Sequence, residues 1–454
     1  MLNTKVDLLK GNILKSLVIF AIPLFISNLF QQLYNTVDIM IVGNFLGDTS
    51  LAAIGASSAV YELLVGFALG IGNGLSMVAA RSYGANDKNL LKKSVAGSIV
   101  IGVFITISIM VISKLYLMPL LKLLNTPANI IEESYSYISI ITLFVGVMFA
   151  YNLCAGLLRA IGNSFMPLVF LVISSLLNIG LDIVFITKFN MGIKGAAVAT
   201  IISQGVSVIL CIIYICFKSK ILIPKRAHFS VGKELYKELW GQGLSMGLMM
   251  GIVSTGTVIL QTAINELGYL TIAGHTAARK LNSFCTMPVV AIAQAVSTFV
   301  SQNKGANQGY RIRKSVFYSN LIAISWGVIS SVILFFISPM MVKVLSGSSE
   351  VLVIENGARY LRMNASFYGV LGILLNLRYS LQGLGQKITP LLSSIIEFGG
   401  KILFVILIIP KTGYLGVILC EPIIWCFMTA QLAYAFYKNT YIGKFKVAKE
   451  FSIV

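Results

Sequence analysis

Residues 158–167 read Leu-Arg-Ala-Ile-Gly-Asn-Ser-Phe-Met-Pro, and residues 381–390 read Leu-Gln-Gly-Leu-Gly-Gln-Lys-Ile-Thr-Pro. The two stretches share a leucine, a glycine and a proline at one spacing, 223 residues. Other pairs fall in the same order at a spacing of 221. They are Leu46-Gly47 with Leu267-Gly268, Gly84-Ala85-Asn86 with Gly305-Ala306-Asn307, Lys93-Ser94-Val95 with Lys314-Ser315-Val316, and Gly192 and Gly195 with Gly413 and Gly416. Five ordered matches at nearly one offset mark an internal duplication.

The duplicated chain has 454 residues, of which 57% are hydrophobic and 11% charged, with a mean hydropathy of +0.87. Soluble domains carry about 25% charge. This composition therefore excludes an ordinary soluble protein, a disordered chain and a disulfide scaffold. Apolar segments run at about 17–45, 51–80, 93–117, 131–158, 165–187 and 193–217. Six more run at about 240–265, 271–301, 315–341, 351–381, 389–409 and 413–437. Each is long enough to cross a bilayer. Backbone groups in lipid must be satisfied internally, and runs this long and uniform are helices rather than barrel strands. The first run is too long for a signal peptide and is read as a first span. The cysteines Cys154, Cys211, Cys216, Cys285, Cys420 and Cys426 form no CxxC pair and are read as reduced packing residues.

The formal net charge is +19. With the N-terminus in the cytoplasm, 24 Lys and Arg fall on cytoplasmic segments, among them Arg81, Arg159, Arg378, Lys444, Lys446 and Lys449. Eight fall outside and three (Arg279, Lys280, Lys401) within spans. This bias follows the positive-inside rule and predicts twelve spans with both termini inside. Nucleic acid is not needed to explain the charge. Six spans per repeat give both halves one orientation, a parallel repeat about the membrane normal, as in two-lobed transporters. The expected lobes are 1–217 and 239–454, with 218–238 as a cytoplasmic linker.

Ionisable groups inside spans are costly, and each is a functional hypothesis by default. On span 1, Asn28, Gln31, Asn35 and Asp38 are spaced to share a face. Ser175, Asn178 and Asp182 do so on span 5, and Thr200, Ser203 and Ser207 on span 6. Three such stripes would enclose a small wet cavity in the first lobe. Two carboxylates close together in low dielectric cannot both ionise cheaply, so such a site holds a proton until solvated or met by a cation. Oxygen ligands from Asp, Asn and Thr would also suit Na⁺. Hydrogen bonds that merely tie helices together are the plainer alternative.

The second lobe is polar in another way. Glu397 and Lys401 stand at i, i+4, a spacing that permits an ion pair. Matching Ser393-Ser394 to Ser174-Ser175 places Glu397 at the position of Asn178 and Lys401 at that of Asp182, while Glu421 falls at Thr200. Ser254, Thr257, Gln261 and Asn265 line span 7, His275, Arg279 and Asn282 line span 8, and Glu266 sits near the outer end of span 7. A charge-compensated network is one reading; a second coupling or substrate site is the other. Glu62 is unpaired in span 2 and is a candidate for the cavity. Pro23 interrupts the backbone bonding of span 1 and permits a hinge. Gly66, Gly70 and Gly74 form a small-residue face suited to close helix packing. HExxH, Walker A and GxSxG signatures are missing, and His228 and His275 are the only histidines, so no enzyme, cofactor or zinc site is expected.

The quoted motifs resemble those of the MATE family, the multidrug and toxic compound extrusion transporters. The matching residues are Val37-Asp38 with Val42-Gly43, Tyr83-Gly84-Ala85-Asn86, Gln302-Asn303-Lys304-Gly305-Ala306, Leu158 to Asn163 with Pro167, and Asn178-Ile179-Gly180-Leu181-Asp182. The likeness covers nearly the whole chain. Arg81 stands where the second lobe has Gln302, read as a loop variation, and the region of Leu371 lacks the second acid of some members. The resemblance implies an all-α, twelve-helix membrane protein with two six-helix lobes in a V. It implies antiport of H⁺ or Na⁺ against amphipathic, mainly cationic compounds by rocking of the lobes. Carried over by residue, the cation site is Asp38, Asn178, Asp182 and Thr200, and Pro23 is the bend in span 1. Gln31, Tyr34, Asn35, Glu62, Met249, Gln261 and Tyr368 are the candidate substrate surface. The expected setting is the cytoplasmic (inner) membrane, with a single chain as the working unit. A lipid-linked oligosaccharide flippase, which would want a basic cavity, stays open through Arg279 and Lys280, and so does a metabolite exporter.

Overall fold

The computed structural model describes residues 5–124 and 126–443, and in them the long apolar runs are helices. In chain order they are α1 (Ile13–Leu46), α2 (Asp48–Tyr61), α3 (Phe67–Gly84), α4 (Lys88–Leu123), α5 (Ile131–Leu143), α6 (Val145–Ala160), α7 (Phe165–Thr187) and α8 (Ile193–Lys218). The second repeat continues with α9 (Lys233–Asn265), α10 (Tyr269–Gly305), α11 (Gly309–Ser346), α12 (Val351–Ser366), α13 (Tyr368–Gly383), α14 (Ile388–Leu403), α15 (Ile409–Thr412), α16 (Tyr414–Lys438) and α17 (Thr440–Gly443). The pairs α2 with α3 and α14 with α15 each run on through one π turn, at Glu62–Gly66 and Phe404–Ile408. The pair α5 and α6 bends by 49°. Up to eleven of these rods are long and apolar enough to cross a bilayer. The twelfth, α12 with α13, carries Glu355, Arg359 and Arg362 in its first half. Lys444, Lys446 and Lys449 of the charge count lie outside the described residues.

The duplication is visible in the backbone. Asn86 and Asn307 both have φ 55°, Gly162 and Gly385 both 87°, and Gly192 and Gly413 both 58°. These left-handed residues end or begin helices, where a reversal of hand satisfies the last carbonyls. Asn and Gly tolerate that conformation at low cost. At Gly162 the requirement is double, because a Cβ there would also meet the Val6 carbonyl oxygen at 2.4 Å.

By packing, the chain forms two compact units. Among the described residues, one holds 5–7 and Ile22–Gly251; the other holds Leu8–Ala21 and 252–443. The repeat boundary and the packing boundary are therefore different things. The segment 218–238 makes two short 3₁₀ turns, Lys220–Leu222 and Arg226–Phe229, before α9 starts. α1 passes between units at Ala21/Ile22, beside Pro23, and α9 passes at Gly251/Ile252.

In the first unit α3 packs on the opening turns of α9. A Cβ on Gly74 would meet the Gln242 carbonyl oxygen at 2.5 Å, and one on Gly70 the Met246 carbonyl oxygen at 2.7 Å. Gly66 faces open space. Two glycines of the stripe thus serve backbone-to-backbone contact, and the third does not. Arg81, expected in a loop, lies in the last turn of α3, with its guanidinium 2.8 Å from Glu238 on α9. Arg378, expected on a cytoplasmic segment, is buried in α13 of the second unit, 6% exposed. It lies five residues before the end of that helix, so its side of the membrane is unaltered while its side chain is packed inside the unit.

Candidate functional site

In the first unit α1, α7 and α8 bring Asp38, Asn178, Asp182 and Thr200 together. All four are buried. The α7 stripe forms because residues spaced by three or four return to one helix face. Ser174 and Ser175 turn their hydroxyls onto the Leu171 carbonyl, at 3.0 and 2.8 Å, so the serines satisfy themselves and leave the carboxyl end of the stripe free to face α1. With its amide set to satisfy both ends, Asn178 donates to Asp182 Oδ2 at 3.3 Å and accepts from the Thr200 backbone N–H at 3.3 Å. The Asp38 and Asp182 carboxyls lie within hydrogen-bond reach of each other. Tyr34, Tyr61 and Tyr137 stand within electrostatic reach of Asp38. Among the described residues neither carboxyl takes part in an ion pair. One oxygen of each carboxyl and the Thr200 hydroxyl are buried without a hydrogen-bond partner.

Two buried carboxyls without a counter-ion are stable only if they share a proton or hold a cation. The orphaned oxygens of Asp38, Asp182 and Thr200, with the Asn178 amide between them, are hard oxygen donors that suit a proton or a small cation. Tyr61 and Tyr137 were not foreseen. They follow no polar stripe, and only the fold brings them here.

The span 1 stripe is split. Asp38 turns inward with half-buried Tyr34, whereas Gln31 and Asn35 are exposed. Glu62 is exposed on the π turn between α2 and α3. Met249 and Tyr368 are closed off in the cores, and the Tyr368 hydroxyl donates to Asn282 Oδ1 at 2.6 Å. Gln261 is half-buried and donates to Asn265 at 2.9 Å. α1 continues unbroken through Pro23, and the Ser27 hydroxyl donates to the Pro23 carbonyl at 2.8 Å.

The second unit gathers its charges into two groups. Glu397 Oε1 accepts from Lys401 Nζ at 3.0 Å, and Glu397 Oε2 lies 3.5 Å from Arg378 Nη2. Arg378 Nε donates to Ser393 Oγ at 3.0 Å, and Lys401 Nζ to Thr257 Oγ1 on α9 at 3.3 Å. Nearby, Tyr360 donates to Glu421 at 3.0 Å, and the Nδ1 of buried His275 lies 3.2 Å from the Tyr414 hydroxyl. Arg279 and Lys401 both act on Glu421. Glu266 stays apart, exposed just beyond the end of α9.

The register of the two repeats also changes. α7 and α14 each start two residues before their matched prolines, Pro167 and Pro390, and run on unbroken through the polar stripe. No slip is available inside a continuous helix, so Lys401 pairs with Asn178 and Glu397 with Ser174. The Ser-Ser match is off by four residues, about one helical turn, which preserves the face and so escapes detection by periodicity.

The family profile described as MatE matches residues 23–184 and again 246–407, the two matches lying 223 residues apart. That spacing is the register in which Asn178 and Lys401 hold the same repeat position. The probable multidrug resistance protein YpnP of Bacillus subtilis (strain 168) is 26% identical over 395 residues, covering 86% of this chain and 87% of its own. The probable multidrug resistance protein YoeA of the same organism is 26% identical over 439 residues, covering 94% of each. A solved structure described as the outward-facing conformation of a multidrug resistance MATE family transporter of the MOP superfamily superposes with a TM-score of 0.86. At 23% identity, over 95% of this chain and 96% of that one, it shows the fold.

Proposed function

Since the chain belongs to the MatE family, we propose that it is a secondary active multidrug efflux antiporter that exchanges H⁺ or Na⁺ for amphipathic, mainly cationic compounds. The observation that carries this reading is the buried Asp38–Asp182 pair, within mutual reach and outside any ion pair among the described residues. A structural acid pair of that kind would be expected to carry a resident cation; an exchange site must be able to lose one.

The cycle runs as follows. In the outward-facing state a proton or Na⁺ enters between Asp38 and Asp182, with Asn178 and Thr200 as further oxygen donors. Neutralisation changes the packing of α1 against α7 and α8 and lowers affinity for the drug, which leaves outward. The empty carrier returns, and the cation escapes to the cytoplasm. Antiport requires that ion and drug stabilise different states, so each weakens the other's binding. Support for Pro23 as the bend comes from its place, where α1 passes from one packing unit to the other. Glu62 is read as the charge that attracts cationic substrate. A carboxylate exposed in mid-span must face water rather than lipid, and the π turn that presents it is a frequent functional device. Gln31 and Asn35, also exposed, extend the same polar surface. The lobes of the transport cycle are taken as 1–217 and 239–454, in the cytoplasmic membrane with both termini inside.

Ethidium efflux from vesicles tests this reading, with a pH gradient and a Na⁺ gradient imposed separately. One gradient should drive efflux, and Asp38→Asn and Asp182→Asn should each abolish it without loss of insertion. If wild-type protein moves ethidium and the substitutions change nothing, the coupling site lies elsewhere.

A further inference from the structure

Three elements meet at the cation site of the first lobe: α1, α7 and α8. Their repeat mates are α9, α14 and α16, and these meet around Lys401. The Lys401 ammonium contacts Glu397 on α14 at 3.0 Å and Thr257 on α9 at 3.3 Å, and it acts on Glu421 of α16. Lys401 is 2% exposed and Glu397 9%. Its methylene stem passes Gly256 closely; a Cβ there would meet Lys401 Cδ at 3.1 Å. Along the repeat, Lys401 corresponds to Asn178 at an offset of 223 residues, and Glu421 to Thr200 at an offset of 221.

From this we infer that the second lobe contains the counterpart of the cation site, filled permanently by a cation on a tether. The Lys401 ammonium takes the place that a proton or Na⁺ takes in the first lobe. A carboxylate and a threonine hydroxyl contact it and a second carboxylate, Glu421, stands within electrostatic reach, as carboxyls, threonine and an amide gather at the exchangeable ion. The second lobe therefore exchanges no ion, and the chain carries one coupling site. It also contains a latent site for a small cation, either Na⁺ or a primary ammonium, which opens when the lysine is removed. Arg378 holds the far oxygen of Glu397 and keeps the carboxylate aimed at that site in the absence of Lys401.

The inference rests in part on the first-lobe reading, so the experiment has two arms. In the first, purified Asp38→Asn/Asp182→Asn protein with Lys401 intact is assayed for ²²Na⁺ binding and for proton release on addition of ethidium. Neither should occur. Ion binding that persists there and is lost on adding Glu397→Gln would overturn the inference. In the second arm Lys401→Ala is placed on the same background, and the melting temperature is followed against methylammonium, with choline as the control salt. A saturable upward shift is expected with methylammonium, absent with choline, absent when Lys401 is present, and lost with Glu397→Gln. A folded Lys401→Ala protein that does not respond would overturn the inference. Should that variant not fold without methylammonium but fold with it, the rescue is the expected result. Failure to fold in both overturns it, because a site of the proposed size accepts the small ion. Wild-type protein that binds neither Na⁺ nor a proton would sink the Asp38–Asp182 reading alone, since methylammonium rescue does not involve those residues.

Discussion

Asp38→Asn isolates the electrostatic part of the proposed coupling site. The amide is isosteric with the carboxyl and can donate to Asp182, so packing and hydrogen bonding within the site survive. The charge does not. Two unit charges about 4 Å apart interact by about 4 kcal/mol at an effective dielectric near 20. Removing one carboxylate takes a contribution of that order from the attraction for a bound cation. At about 1.4 kcal/mol per decade, the affinity falls roughly thousand-fold. Ion-driven ethidium efflux should therefore drop to the rate of empty vesicles at any attainable gradient. Ethidium binding in detergent should be retained and should no longer be displaced by the coupling ion, because the opposed partner in the linkage is gone. Stability should hold or rise, since two like charges no longer share one buried place. The assays are gradient-driven efflux in proteoliposomes, ethidium fluorescence anisotropy with and without the ion, and melting in detergent. Efflux within threefold of wild type, with unshifted ion dependence, would refute the argument, as would a large fall in melting temperature with binding lost.

Asn178→Leu removes the bridge between Asp182 and the Thr200 backbone; with a buried acceptor left unsatisfied at about 1–3 kcal/mol, the half-saturating ion concentration should shift by about tenfold or more, and an unchanged value would count against a ligand role for Asn178. Gly74→Ala forces a Cβ against the Gln242 carbonyl at 2.5 Å, where neither backbone can yield, and should cost about 1–3 kcal/mol. Gly66→Ala, with nothing within 4 Å, should melt like wild type, and equal effects of the two would show that the α3–α9 contact is not tight. Pro23→Ala restores a backbone donor to α1 and should slow ion-driven efflux while leaving equilibrium ethidium binding intact; wild-type rates would remove the hinge.

Much of the fold could be read because the bilayer leaves few options. Long apolar runs must be helices, and the Gly-Ala-Asn and Gly…Pro matches carried the duplication down to identical left-handed residues. The meeting of Asp38 with Asn178, Asp182 and Thr200 was legible for the same reason: a polar residue in a span has to turn inward. Burial elsewhere was not legible. Helices that are apolar on every side carry no stripe to separate inside from outside, so Met249 and Tyr368 pass for surface residues although both are core. Conversely Asn35 and Gln31 sit about one and two turns from Asp38 and yet remain exposed. Arg81 and Arg378 show the limit of charge counting. Each lies near a helix end, as a cytoplasmic residue would, but its acid partner on another helix, Glu238 or Glu397, leaves no mark in the sequence.

The two halves, built alike, solve the problem of buried acid in opposite ways. In the second lobe three cationic side chains, Arg378, Lys401 and Arg279, stand against the buried Glu397 and the mid-span Glu421, so both of these carboxylates have cationic neighbours. Such a network is costly to break, because removing one member strands the other, about 3–5 kcal/mol for a buried pair. It is therefore suited to hold one arrangement. In the first lobe Asp38 and Asp182 have no cationic side chain paired with them among the described residues, and on the proposed reading their charge balance comes from an exchangeable ion. A site with that property is stable in one state when loaded and in another when empty, which is what coupling to an ion gradient demands. The difference comes down largely to one position of the repeat, Asn178 in one half and Lys401 in the other. An amide can share a cation with two carboxyls; an ammonium excludes one. Exchanging the pair, Asn178→Lys in the first lobe, should then silence coupling with Asp38 and Asp182 both intact. Efflux that continued to follow the ion gradient in that variant would show that the asymmetry of the lobes has no part in the transport cycle.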